Sequence, residues 1–342
     1  MKLLVIGGAG YIGAHVVKEL LQAGHKVVVF DNLSTGLREN LFHEAQFVYG
    51  DILDIAALSQ VMASDMDAVF HFAAHKAAGE SMRKPEKYAT NNLSGTINII
   101  NTMSGAGIDK VIFSSSAAVY GTPQYLPMDE DHPLTPDSFY GFTKLEIERL
   151  LCWYEKLRGF RFAALRYFNA AGYDVDGMVT GLEQNPANLL PVLMEAAGGM
   201  RKKLVIFGDD YDTPDGTCVR DYIHVNDLAR GHLQALTYLA EYEKSISVNL
   251  GAGRGYSVKE VYQRACAVTG VKIPMEQGPR RPGDFSRGAS IGQNKIGFSN
   301  PTFRPGDSDS FDVADVHIMR PLQDIYFCSS SRKAKNVTGG IC

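Results

Sequence analysis

Three observations predict an α/β fold, a doubly wound parallel sheet carrying a smaller mixed α/β lobe. Short β-branched runs alternate with helical periodicity over residues 1–120, a glycine-rich turn joins the first such run to the first helix, and the alternation stops beyond residue 170. Strand, helix, strand repeated in this way gives parallel neighbours joined by right-handed crossovers. Lys2–Ile6 reads as the first strand, followed by 26–30, Gln46–Tyr49, 68–72 and 110–113. Between the first two, Val16, Val17, Leu20 and Leu21 share one helical face, and Gly24 closes that helix as a left-handed C-terminal residue. Further strands are predicted at 162–167 and 247–250. Residues 172–220 carry a Pro/Asn cluster at 185–191 and no strand–helix alternation, so they read as loops of the second lobe.

The expected division is residues 1–170, with the later strand near 246–251, for the sheet domain, and 171–284 for the lobe. Residues 285–342 form a divergent C-terminal segment rich in Ser, Gly, Asp and Asn and interrupted by Pro301, Pro305 and Pro321. The tetrapeptide Arg-Pro-Gly-Asp occurs twice, at 281–284 and 304–307.

Composition narrows the functional classes. The 342 residues suit about two domains, and 45% apolar with 21% charged residues is a globular composition. Lys+Arg 34 against Asp+Glu 38 leaves a net charge of -4, which argues against a nucleic-acid partner. No run of about 18 apolar residues offers a membrane span, and the N-terminal strand meets Gly7 too early for a signal-peptide core. The five cysteines are widely spaced and lack a Cys-x-x-Cys pair, so neither a disulfide framework nor a zinc site is expected. A cytoplasmic, soluble protein without a metal remains.

The chemistry starts at Gly7, Gly8, Gly10 and Gly13, where the first strand ends and the first helix begins. Gly7 permits a tight turn, Gly10 lets the backbone approach a pyrophosphate, and Gly13 permits close packing of the helix; the helix N-terminus faces the phosphates. Glycines so spaced are a weak signal alone, but strand before and helix after make this a Rossmann-type dinucleotide loop. Asp31, 18 residues beyond Gly13 at the end of the second strand, can accept hydrogen bonds from a ribose and would repel a 2′-phosphate, so NAD is expected over NADP. Phe72, Ala73 and Ala74 follow the fourth strand, where small side chains let the backbone lie against a cofactor.

Ser114, Ser115 and Ser116 end the fifth strand, at the sheet edge where open α/β folds bind ligands. Tyr140 and Lys144 follow 24 residues after Ser116, on a helix-like run at 143–151. A Tyr-xxx-Lys match by itself means little, since 16 tyrosines yield about one by chance; its position here carries the weight. At i, i+4 the two share a helix face, and the ammonium with a cationic nicotinamide is expected to lower the phenol pKa toward neutrality, making Tyr140 a general acid/base.

The glycine loop, Asp31, Ser116 and the Tyr140/Lys144 pair resemble the extended short-chain dehydrogenase/reductase superfamily. Longer segments narrow this: 71–81 (HFAAHKAAGES), 113–121 (FSSSAAVYG), 165–172 (LRYFNAAG), 216–225 (GTCVRDYIHV), 249–251 (NLG) and 279–284 (PRRPGD). Over residues 1–284 the chain is similar to the UDP-glucose 4-epimerase family. The resemblance implies that Tyr140 removes the proton of a sugar 4-OH while hydride passes to NAD, that Ser116 hydrogen-bonds the same oxygen, and that Lys144 binds the nicotinamide ribose. It implies cofactor contacts at Tyr11, Ile12, Asp31, Asn32, Asp51, Ile52, Lys76, Asn91 and Phe168, beside the loop glycines and Ser114. Nucleotide-sugar contacts are implied at Asn169, Asn188, Leu189, Val205, Phe207, Arg220, Arg281 and Asp284, with the two arginines suited to a diphosphate. By simple offset a sugar-facing position falls on Gly288; the alternative counterpart is the second Arg-Pro-Gly-Asp, at 304–307, followed by Val313, Ala314 and Asp315 after an insertion. A homodimer through helices near 92–102 and 144–154 is implied as well.

Two other readings compete with an epimerase acting on a UDP-sugar. Another sugar-modifying member of the superfamily is one, although related dehydratases place a carboxylate pair where Ala117 and Ala118 follow Ser116. A non-catalytic NAD or UDP-sugar binding protein is the other, against which Ser116, Tyr140 and Lys144 speak.

Overall fold

The computed structural model describes residues 1–179, 183, 184, 186, 188–280 and 287–288. Strand β1 (Lys2–Ile6) runs through the glycine turn into α1 (Tyr11–Gln22), which returns the chain to β2 (Lys26–Asp31). The unit repeats through β3 (Gln46–Tyr49), α2 (Ile55–Met62) and β4 (Ala68–His71). Two short helices, α3 (Ala78–Ser81) and α4 (Pro85–Tyr88), lead through a π-helical turn (Ala89–Ser94) to α5 (Gly95–Ala106) and β5 (Lys110–Ser114). Helix α6 (Phe139–Arg158) then connects to β6 (Arg161–Tyr167).

The remaining elements are β7 (Asn169–Ala171), α7 (Leu189–Ala197), β8 (Leu204–Phe207), β9 (Val219–His224), α8 (Val225–Tyr242) and β10 (Ile246–Leu250). They are followed by β11 (Gly255–Ser257), α9 (Val258–Thr269), β12 (Met275–Gly278) and β13 (Arg287–Gly288).

Among the described residues, seven strands form a parallel sheet in the order β10-β6-β5-β4-β1-β2-β3. The order reverses between β1 and β4, whose last residues Ile6 and His71 are paired, and a crevice opens beyond the carboxyl ends of these strands. Both faces of the sheet are covered, which is why its strands read as continuous apolar runs. Leu3, Val5, Val27 and Val29 pack under α1 and α8, while Leu4, Ile6, Val28 and Phe30 pack under α2, α5 and α6.

Among the described residues of 172–220, where loops are expected, lie α7, β8 and the start of β9. Asn188 stands at the N-cap of α7 and Pro191 falls in its first turn, where the missing N–H has no intrahelical partner to lose. The end of the Pro/Asn cluster, Asn188 to Pro191, is therefore a helix start, and Leu190, Leu193 and Met194 form the apolar face of that helix. That face packs on Leu204, Ile206, Tyr222, Tyr256 and Val261, a core separate from the two sheet layers. Residues 225–250 then return to the central sheet: α8 lies against the sheet beside α1, and β10 pairs with β6.

Helix α6 is longer than the predicted run at both ends. Ser138 caps it, its Oγ accepting from the Gly141 N–H at 3.1 Å, and Gly159 ends it in the left-handed conformation. The expected divergent segment 285–342 lies outside the described residues, apart from Arg287 and Gly288, which pair with Val219 and Arg220. No helix among the described residues is long and apolar enough to cross a membrane.

Candidate active site

A cleft of about 650 Å³ opens at the crevice between β1 and β4. One wall is the glycine turn. Gly7 has φ +86°, and a Cβ there would stand 2.7 Å from the Ala73 nitrogen, so the turn and the backbone after β4 are in direct contact. A Cβ on Gly13 would lie 2.2 Å from the Gly7 oxygen: the first turn of α1 is folded onto the loop itself. At Gly10 a Cβ would touch only the Gly7 oxygen, at 3.4 Å, and would otherwise fill open cleft. That space lies at the positive end of the α1 dipole and fits a pyrophosphate. Tyr11 and Ile12 reach it through their backbone; the Tyr11 hydroxyl points away and donates to the Gly172 oxygen at 2.5 Å.

Asp31 lies deeper on the same wall. Its carboxylate accepts from Ala9 N–H at 3.0 Å and Leu33 N–H at 2.7 Å; burial raises its pKa, and both hydrogen bonds oppose the rise. Oxygen lone pairs remain for a ribose. Asn32, Ile52, Phe72, Ala73, Ala74 and Asn91 also line the cleft. Lys76 lines it too, ion-paired with Glu183. Asp51 does not line it but receives a hydrogen bond from Asn32 Nδ2 at 2.7 Å, so it orients a wall residue rather than forming the wall. Asn91 sits on the π-helical turn, where neighbouring Asn92 holds both backbone groups of His75 and the Thr143 hydroxyl.

The floor is built where β5 meets α6. Ser116 leaves the strand in an extended conformation and its Oγ accepts from Ala118 N–H at 3.2 Å, which leaves its own proton to donate. Gly141 lets α6 start hard against this turn, since a Cβ there would be 2.3 Å from the Ala118 oxygen. Tyr140, in the first helical turn, donates its otherwise unpaired N–H to Ser81 Oγ at 3.0 Å. Its phenol faces Ser116. Lys144 is buried, donates to the Ser114 carbonyl at 2.6 Å, and lies 4.8 Å above the Phe113 ring. The Ser114 hydroxyl bonds the Tyr167 hydroxyl.

The lowering expected at Tyr140 involves the cationic nicotinamide; in the cofactor-free protein the surroundings of the phenol act the other way. Burial raises the phenol above its ordinary value, and the Ser116 hydrogen bond only partly offsets this. Burial also lowers Lys144 to about 7, with Glu148 opposing, so the lysine carries only part of its charge near neutrality. The side-chain spacing was readable in sequence; the loss of hydration that dominates both groups was not.

Phe168, Asn169 and Asn188 bring the lobe to the cleft edge, Asn169 Nδ2 donating to the Asp221 carbonyl at 2.9 Å. Leu189 packs against the core of the lobe instead. Val205, Phe207 and Arg220 stand on β8 and β9 and do not line this cleft. Arg281 and Asp284 lie outside the described residues. Tyr167 and Glu183 line the cleft without having been singled out in sequence. The signal for Tyr167 was its place at the carboxyl end of β6 beside β5, whereas nothing local marks Glu183.

A doubly wound sheet with a glycine turn, a strand-end acid and a Ser/Tyr/Lys floor defines a dinucleotide-dependent enzyme of the extended short-chain dehydrogenase/reductase type. The chain belongs to the NAD dependent epimerase/dehydratase family, whose sequence profile matches residues 3–251. It is 46% identical over 285 residues to UDP-glucose 4-epimerase of Lactobacillus helveticus, covering 83% of this chain and 86% of that protein. Among solved structures it resembles UDP-glucose 4-epimerase from Brucella ovis in complex with NAD, with a TM-score of 0.86 and 42% identity over 93% of this chain and 96% of that one. The Bifidobacterium longum UDP-glucose 4-epimerase in complex with NAD+ and UDP has the same TM-score, 0.86, with 36% identity over 94% and 98% of the two chains.

Proposed function

We propose that this protein interconverts UDP-galactose and UDP-glucose by NAD-dependent 4-epimerisation through a transient 4-keto sugar. The observation that carries this reading is the meeting of Ser116, Tyr140 and Lys144 on the floor of a cleft whose wall is the glycine turn. NAD, when bound, supplies the hydride acceptor and a cationic ring. As the phenolate, which a cationic ring beside it would favour, Tyr140 takes the 4-OH proton and later returns it. Ser116 donates to the same oxygen, and Lys144, fixed on the Ser114 carbonyl, holds the nicotinamide ribose. Gly7, Gly10, Tyr11, Ile12 and Gly13 hold the pyrophosphate, with Asp31 on the adenosine ribose. The sheet layer thus carries the cofactor, and residues 171–284, less α8 and β10, carry the UDP-sugar through Asn188, Val205, Phe207 and Arg220, with Arg281 and Asp284, joined by Asn169 just before them.

The test is NMR of purified protein incubated with UDP-galactose and no added cofactor, with acid-released NAD assayed in parallel. UDP-glucose is the expected product. Stoichiometric NAD with an unchanged sugar spectrum refutes the reaction assigned. Asp31→Ala is expected to weaken NAD by about 2 kcal/mol, roughly thirtyfold, the worth of a hydrogen bond to a charged group; equal affinity in a dialysis titration removes Asp31 from the ribose site.

The same reading includes a homodimer. Helix α6 exposes Phe142, Trp153 and Leu157 along one stripe, with Trp153 and Leu157 57% and 67% exposed, and Ile97 of α5 is exposed too. An apolar stripe on one surface helix, with an exposed apolar side chain on a second, suits a helix bundle between two copies. Light scattering is expected to give twice the chain mass for wild type and the single-chain mass for Trp153→Glu/Leu157→Glu. A monomeric wild type rejects the dimer. Among the described residues Cys152, Cys218 and Cys266 form no disulfide, which supports a cytoplasmic setting.

A further inference from the structure

Behind the active-site side chains, the end of β5 and one face of α6 are joined by a ladder of three contacts. Ser114, Ser115 and Ser116 are consecutive, while Tyr140, Lys144 and Glu148 are spaced four apart and share one face of α6. Ser116 meets the Tyr140 phenol, and the Ser114 carbonyl accepts from Lys144. The third rung is the Ser115 hydroxyl donating to Glu148 Oε1 at 2.5 Å. Both of its residues are buried and neither lines the cleft.

Glu148 is held from the other side by Arg166 of β6, whose Nη2 lies 2.6 Å from Oε2 and whose Nε lies 3.1 and 3.2 Å from the two carboxylate oxygens. Arg166 also donates to the Tyr120 hydroxyl at 3.1 Å, and that hydroxyl donates to Asn249 Oδ1 at 2.6 Å. The Asn249 N–H donates to Glu130 Oε1 at 3.0 Å, so the chain of bonds reaches β10.

We infer that Glu148 is a positioning residue: clamped by Arg166 and bonded to Ser115, it sets the register of α6 against the end of β5 and thereby the approach of Tyr140 to Ser116. The inference rests on the epimerase reading for its catalytic consequence. A buried ion pair is a poor source of stability compared with apolar packing, but a forked guanidinium–carboxylate contact fixes both distance and angle. Supporting contacts of this kind hold a site to the tolerance its chemistry requires.

Glu148 also supplies charge. Lys144 is faced by Tyr140 and Glu148 on α6, by His71 on β4, by Ser114 and Phe113 on β5, and Tyr167 of β6 lies beyond Ser114. Burial lowers His71 to about 3 and raises both tyrosines, so these groups stay neutral near pH 7. Among these described groups Glu148 is the anion that favours the Lys144 ammonium.

The test compares wild type, Glu148→Gln and Ser115→Ala, by carbon-13 NMR of ε-labelled lysines and by initial rates with UDP-galactose across the neutral range. In Glu148→Gln the Lys144 midpoint is expected to fall by at least about one pH unit, and the rate profile to move with it. Ser115→Ala is expected to leave that midpoint in place while lowering kcat about tenfold at unchanged KM, the mark of lost positioning. A folded Glu148→Gln protein with the wild-type lysine midpoint and wild-type kcat overturns the inference. If Glu148→Gln strands Arg166 and does not fold, Glu148→Gln/Arg166→Met removes both charges and is expected to show the same fall; an unmoved midpoint there overturns it equally. A wild type that converts no UDP-galactose rejects the epimerase reading instead, and the lysine midpoints still decide the role of Glu148.

Discussion

Tyr140→Phe is expected to lose turnover by about a thousandfold while NAD stays bound, the scale of a removed general acid/base. The substitution deletes one oxygen and keeps the ring in its place, so the Lys144 contact to Ser114 and the Ser81 contact to the helix start both survive. Initial rates with UDP-galactose and NAD released by acid check the two halves separately. Activity within tenfold of wild type would move the proton-transfer role elsewhere. The raised phenol adds a pH consequence. In cofactor-free protein Tyr140 stays protonated through neutral pH, and ultraviolet difference titration against Tyr140→Phe is expected to place its ionisation above the ordinary value of 10.

The second large effect lies in the glycine turn, where two neighbouring substitutions separate folding from binding. Gly13→Ala puts a methyl group 2.2 Å from the Gly7 carbonyl oxygen, a backbone atom unable to give way without the loop moving. It is expected to cost about 2 kcal/mol of stability, as overpacking does, and to lower NAD affinity about a hundredfold. Gly10→Ala meets only the Gly7 oxygen, at an ordinary 3.4 Å, and projects into the cleft. It is expected to leave the denaturation midpoint of cofactor-free protein within about 0.5 kcal/mol of wild type and still to weaken NAD strongly. Equal stability losses in both variants would mean that the space at Gly10 is structural rather than reserved for a phosphate.

The parts of the site legible in sequence are those written in short spacings. Gly7, Gly10 and Gly13 specify a turn whose requirements are met within seven residues, and Asp31 closes the next strand. Ser114, Ser115 and Ser116 were legible because a parallel strand ends there, Tyr140 with Lys144 because four residues return a helix to the same face, and the family resemblance marked Ser116 among the three serines. The Pro/Asn cluster at 185–191 shows the limit. Pro191 breaks a helix in its interior and is harmless in its first turn, and only the packing of Leu190, Leu193 and Met194 on the core of the lobe decides which of these applies. Asp51 and Leu189 show it again, each one residue from a position that does line the cleft.

The sequence by itself determined the alternating architecture, the dinucleotide turn and the acid at Asp31, because period and spacing act within a few residues, and it pointed to Ser116, Tyr140 and Lys144 through their resemblance to a known family. Tertiary structure alone decided that Gly141 brings the start of α6 against the turn after Ser116, that Lys76 meets Glu183, and that Glu148 is gripped by Arg166 beside Ser115. It alone decided that burial raises the Tyr140 phenol in the cofactor-free protein. Burial and ion-pair partners come from segments far apart in the chain, and the loss of hydration they impose opposes both a charged phenolate and a charged ammonium.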